Sequence, residues 1–97
     1  MATHETNTTD THTRAVAILR VWEAAHRYDY MTLPALHAAL GDDAPALADW
    51  AAFCVAGRRA GLWTLRPWTQ AACRLPAGDD AYMVEYGREM RYFVNLR

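Results

Sequence analysis

Neither serine nor lysine occurs in the 97 residues of this chain, and cysteine occurs only twice, at Cys54 and Cys73. The first two absences remove whole classes of chemistry by inventory: a serine nucleophile, a Schiff-base lysine and the Gly-Lys-Ser/Thr phosphate loop. All ten basic residues are arginine, which suits bidentate and stacked contacts better than lysine does. The spacing of the two cysteines matches no zinc or redox motif, so both are read as buried thiols. No apolar run approaches the length that spans a bilayer, and no basic start precedes an apolar segment. A soluble cytoplasmic protein with no membrane partner is the expectation.

Catalysis is not expected. Glu85 with Glu89, and Asp79 with Asp80, are neighbouring acids of the kind that turns keep solvated. Cys54 would need a thiolate-stabilising partner such as His37 or His26, yet it falls on a helix face that should be buried and inert. His4, His12, His26 and His37 form no metal-ligand spacing. No enzyme activity, metal or cofactor is therefore assigned.

What the chain does contain is alanine and large anchors. One domain is implied by the length. The hydrophobic share of 53% includes 19 alanines, so the apolar area must come from four Trp, five Tyr, two Phe and nine Leu. Residues 1–12 are polar and offer little to bury, and they are read as a disordered tail before a single domain at 13–97. From Thr13, Val16, Leu19, Trp22 and Ala25 or His26 recur at helical steps, widened by Ile18, which predicts a first helix to about Tyr28.

Thr32 then stands as the cap of a second helix with Pro34 in its first turn, a Leu33, Leu36 and Leu40 stripe, and Gly41 as the stop. A third helix is expected from Asp42 or Asp43, with Pro45 in its first turn and Leu47, Trp50 or Ala51, Cys54 and Val55 inward, ending near Ala60. Trp22, Leu36, Leu40, Leu47 and Leu62 are expected to share one core. Two short strands around Pro67 fit the segment Trp63 to Leu75, and Pro76 to Asp80 is a turn. Beyond it Tyr82, Val84 and Tyr86, and then Met90, Tyr92, Val94 and Leu96, alternate on either side of Gly87. That pattern predicts a β-hairpin; a fourth helix carrying Met83, Tyr86, Met90 and Phe93 on one face is the alternative.

Over residues 13 to about 75 the chain resembles the winged helix-turn-helix family. The likeness rests on the Leu-rich second helix TLPALHAALG, the third helix ending in RRAGLW, and the β-leaning segment after it. It implies a small α+β domain of three helices followed by a β-hairpin wing, and DNA binding. The chain differs from the family at Ala56-Gly57, where a large apolar residue is usual and where glycine loosens the helix.

Charge is split along the chain. Residues 1–50 hold three Arg against seven acids, a net of −4, and residues 51–97 hold seven Arg against four acids, a net of +3. Affinity for double-stranded DNA comes largely from phosphate neutralisation, so the nucleic-acid candidates are Arg58, Arg59, Arg66, Arg74, Arg88 and Arg91. Asp42, Asp43 and Asp49 oppose that reading, because they occupy the helix start that a DNA reader offers to phosphate. The expectation is a transcriptional regulator that binds DNA through the arginines of the wing half. The alternative is a protein-binding module, homodimer included, or a phage- or mobile-element-encoded inhibitor of the anti-CRISPR kind. Its interface would draw on Asp42, Asp43, Asp49, Trp63, Trp68 and Tyr86.

Overall fold

The computed structural model describes residues 8–27, 29–68 and 75–97. In chain order these form α1 (Thr8–Ala25), β1 (Met31–Thr32), α2 (Leu33–Leu40), α3 (Leu47–Arg59), β2 (Trp63–Pro67), β3 (Val84–Tyr86) and β4 (Glu89–Leu96). Single 3-10 turns lie at Gly41–Asp43 and Asp79–Tyr82. This is an α+β domain with three helices and an antiparallel sheet, compatible with a small winged-helix-like fold. Among the described residues no helix is long and apolar enough to cross a membrane.

Helix α1 begins before its apolar periodicity does. Residues from Thr8 to His12, expected in the tail, are helical, and His12 is buried. Its ring stacks on Phe53 with centroids 4.1 Å apart. Its Nε2 faces the Phe53 carbonyl at 2.8 Å and therefore carries the proton it donates. That long-range contact draws in a polar turn which local composition assigns to solvent. The rest of the expected tail, residues 1–7, lies outside the described residues. The inward stripe is His12, Ala15 and Leu19, with Val16, Ile18 and Trp22 half-buried, whereas Ala25 and His26 are exposed.

Helix α2 forms as its sequence dictates. The Thr32 hydroxyl accepts the Ala35 N–H at 3.2 Å, Pro34 sits in the first turn, and Leu33, Leu36 and Leu40 are buried. Helix α3 starts later than expected, at Leu47 instead of Asp42 or Asp43. Asp42 and Asp43 belong to a 3-10 turn of their own, and Pro45 disfavours helical backbone at the residue before it. Ala44 is extended (φ −68°, ψ 140°) and so is Ala46 (φ −60°, ψ 153°), so no helix runs through them. The later start leaves Trp50, Phe53, Cys54 and Gly57 facing inward. Leu47, expected in the core, is 47% exposed, and Ala51 is exposed as well.

The sheet is organised around β4, to which every other strand pairs antiparallel. Met31 pairs with Val94, Trp63 with Leu96, Leu65 with Val94 and Val84 with Arg91. Beyond Arg66 the register with β2 slips so that Pro67 pairs with Arg91, leaving Tyr92 opposite no residue of β2. A proline cannot donate to the ladder, and a bulge beside it is the usual accommodation. The hairpin, not the fourth helix, is therefore the form taken by residues 84–96. The second strand expected after Pro67 falls largely on residues 69–74, outside the described residues.

Between the helices and the sheet lies a core of Leu19, Leu33, Leu36, Leu40, Trp50, Phe53, Trp63, Leu65, Val84 and Val94, among others; Trp22 and Leu62 pack against it half-buried. Trp63 is fully buried, and its Nε1 donates to the Cys54 carbonyl at 2.9 Å. Its ring occupies the space where a side chain at Gly57 would be, since a Cβ there would overlap the indole. The glycine that looks like a flaw in the helix is the seat for the tryptophan.

Two substitutions test these local statements. Gly57→Ala should destabilise the domain by ~1–3 kcal/mol in denaturant unfolding, because overpacking against the pinned indole outweighs the ~1 kcal/mol helix-propensity gain; a net gain would show the seat to be loose. Gly87 and Arg88 form the two-residue turn between β3 and β4, with φ of 63° and 70°, the pattern of a type I′ turn that favours glycine or asparagine. Arg88→Gly should therefore stabilise the domain by ~0.5–1 kcal/mol, the left-handed cost of a side chain less the entropy of an added glycine.

Candidate functional site

The outward side of the third helix has an unusual composition. Leu47, Ala48, Asp49, Ala51, Ala52, Ala56 and Arg59 are exposed. Asp49 in the first turn complements the positive end of the helix, and Arg58 and Arg59 in the last turn complement the negative end. Between them the exposed side chains are alanine, with Leu47 just ahead of Asp49. It carries no side chain able to hydrogen-bond a base edge, and only alanine methyls that can touch a thymine methyl.

The acids ahead of it are not helix caps. Asp42 and Asp43 occupy the 3-10 turn that precedes the extended Ala44 to Ala46 connection, and the cap of α3 is Ala46, which makes no side-chain cap bond. Asp43 accepts from Arg14 Nε at 3.2 Å, with both side chains more than half exposed, a pair worth little in stability.

The arginines assigned to phosphate divide into committed and uncommitted groups. Arg91 Nε donates to the Tyr86 carbonyl and Nη1 to the Leu65 carbonyl, each at 3.0 Å, while Nη2 pairs with Glu89 at 3.1 Å. Arg66 Nε donates to Asn95 Oδ1 at 2.7 Å, and its guanidinium lies 4.5 Å from the Tyr30 ring centroid. Both side chains work as cross-strand fasteners. Arg58 lies 5.6 Å from the centroid of Tyr86, which Arg91 approaches at 5.7 Å, so Tyr86 sits among cations as part of a structural cluster. Arg59 and Arg88 are exposed, the latter at the hairpin turn. Arg74 lies outside the described residues.

Of the aromatic interface candidates, Trp63 is corrected to core, since none of it reaches solvent. Trp68 is half-buried, edge-on to Tyr92 at 4.9 Å and stacked near Phe93 at 6.1 Å. The structure thus gathers Arg58, Arg91 and Tyr86 at one place, holds Arg66 with Tyr30 at another, and leaves Asp42, Asp43 and Asp49 at the entry to α3.

Burial accounts for Cys54, and hydrogen bonds hold His37 and His26. Burial pushes the Cys54 thiol far above its ordinary range, which leaves it protonated and unreactive. His37 Nε2 donates to the Pro45 carbonyl at 2.8 Å, and His26 Nδ1 donates to the Trp22 carbonyl at 2.9 Å. Among the described residues no three His, Cys, Asp or Glu side chains are placed to hold a metal ion. The sequence reading missed Glu23, whose Oε2 accepts the Leu96 N–H at 2.7 Å, and Val21, which is 73% exposed. Val21 was legible: it falls outside the inward stripe of α1.

Compared with the models of known families, with curated proteins and with solved structures, the chain matches none.

Tyr92 provides a test of the loop that leads into the hairpin. Its hydroxyl donates to Asp79 Oδ2 at 2.5 Å. Burial first, and then the hydrogen bond and the negative charge of Asp79, push its pKa up to about 12. A pKa raised on folding adds stability below the unfolded value near 10, and that stability is lost as pH rises from there through about 12. Tyr92→Phe should cost ~1.5–3 kcal/mol at neutral pH, as for a hydrogen bond to a charged group. The gap should close in unfolding curves taken toward the upper end of that window; a gap independent of pH would show that the phenol does not titrate with folding.

Proposed function

We propose that this domain is a non-enzymatic protein-binding module, and that its partner surface is the outward side of α3 with the acidic turn before it. The observation that carries this reading is the make-up of that surface. Leu47 is 47% exposed in the first turn of α3, Ala48, Ala51, Ala52 and Ala56 continue the apolar face, and Asp42, Asp43 and Asp49 stand at its entry. An apolar anchor beside small residues admits a close neighbour, and the carboxylates favour a partner surface rich in arginine or lysine.

DNA binding is the competing reading, and Arg58, Arg59 and Arg88 are what favour it. Against it, Arg66 and Arg91 are held inside the fold by Asn95, Leu65, Tyr86 and Glu89. The helix that would enter the major groove has carboxylates at its start and alanine along its length.

Titration with random-sequence duplex at low and moderate salt separates the two. A protein-binding module should show no affinity for duplex beyond the roughly 10⁻⁴–10⁻⁶ M typical of non-specific binding at physiological salt. Replacing Asp42, Asp43 and Asp49 together by Asn should raise that weak DNA affinity and slow association with a basic protein partner. Submicromolar duplex binding at physiological salt, weakened by Arg59→Ala and Arg88→Ala, would overturn the proposal.

A further inference from the structure

The sheet has two faces, and the helices use one of them. Met31, Trp63, Leu65 and Val94 point from it into the core. Strand register sets Thr32, Phe93 and Arg66 side by side on the other face, with Asn95 and Thr64 in the next row and Tyr30 beside them, two residues before Thr32. None of these six is buried, and Tyr30 is 46% exposed.

Aromatic rings and a guanidinium run across this outer face. The ring centroids of Tyr30 and Phe93 are 6.4 Å apart, and Trp68 stacks near Phe93 at 6.1 Å. The Arg66 guanidinium, 4.5 Å from the Tyr30 centroid, engages only Nε, with the neutral Asn95. Neither Arg66 nor Arg27 has a carboxylate partner among the described residues. Next to this row Tyr30 and Asn95 wall an open groove of about 500 Å³ with Glu23, His26, Arg27 and Asp29. Glu23 is held there by the Leu96 N–H, which leaves Asp29 against two arginines. Cross-strand pairing accounts for the aromatic contacts, but not for a guanidinium on this face without a counter-charge.

We propose that the outer face of the sheet binds single-stranded nucleic acid, with bases stacked along Tyr30, Phe93 and Trp68 and backbone phosphates against Arg66 and Arg27. Two properties of such a strand select it. Its bases are unpaired, so each offers a π-face to an aromatic side chain, whereas a duplex keeps those faces inside its own stack. Its phosphates supply the negative charge that the two arginines lack. A basic peptide would meet those same arginines. The face lies across the sheet from α3, so it is open whether or not the α3 surface is occupied, and it stands or falls independently of that surface.

The probe is a fluorescein-labelled oligothymidylate of twenty nucleotides, titrated with the full chain at low and moderate salt and read by anisotropy, with a duplex of the same length for comparison. The single strand should bind about tenfold tighter than the duplex or better, and its affinity should fall with salt at a log–log slope of about −0.7 per phosphate contact. Tyr30→Ala, at an exposed position, should keep the parent circular dichroism spectrum and weaken binding about 5- to 150-fold, the scale of one lost base stack. Arg66→Gln and, at an exposed position outside the sheet, Arg27→Gln should each weaken binding and flatten the salt slope. Arg88→Gln, which removes the same charge at the hairpin turn, should bind as the parent does. A parent that does not bind the oligothymidylate, or binds the duplex as tightly, overturns the proposal. So does a Tyr30→Ala chain with the parent's affinity, which would leave this face to some other partner. Equal losses from Arg27→Gln and Arg88→Gln would show general charge attraction and overturn it as well.

Discussion

The indole of Trp63 sets the relation between α3 and the sheet. It is buried on β2, hydrogen-bonded through Nε1 to the Cys54 carbonyl and seated over Gly57. Phe53 and His12 close around it, with ring centroids 5.8 and 5.5 Å away. One side chain thus touches the third helix, the first helix and the strand that pairs with β4. Because the Trp63 ring fixes the rotation of α3, it also decides that Ala48, Ala52 and Ala56 look outward. The composition of the outer face of α3 is a consequence of where one tryptophan is seated.

The parts of this arrangement that were legible in the sequence are those set by neighbours in the chain. Thr32, Pro34 and the Leu33, Leu36 and Leu40 spacing specify α2 locally, and the alternation around Gly87 specifies the hairpin. The start of α3 was misread because two aspartates resemble caps, whereas they occupy a 3-10 turn of their own and Ala44 after them is extended. Leu47 shares a helix face with the buried Trp50 and Cys54, yet it is 47% exposed because it sits in the first turn of the helix. Trp63 was placed at an interface because tryptophan is common there, but residue type does not reveal burial. Only the structure shows that Gly57 makes room for it.

The candidate site was less legible than the fold because its chemistry depends on distant partners. Arg91 and Arg66 read as free cations in a basic half, yet they bond to groups 26 and 29 residues away. His12 reads as part of a polar tail, yet its partner is the carbonyl of Phe53, 41 residues on. Each such bond converts an apparent surface charge or polar residue into a structural fastener. What remains free on α3 is an apolar face with an acidic approach, and that face recommends a protein partner over a phosphate backbone.

The most direct test of that conclusion maps contacts on the surface itself. A photo-reactive side chain is placed singly at Ala48, Ala52 or Ala56 of α3 and, as controls, at the exposed Ala77 and Arg97, and the chain is irradiated in the cells that encode it. A protein-binding α3 predicts one and the same protein adduct from all three helix positions and none from the controls. Adducts to DNA from the helix positions, or the same protein adduct from every position tested, would contradict it.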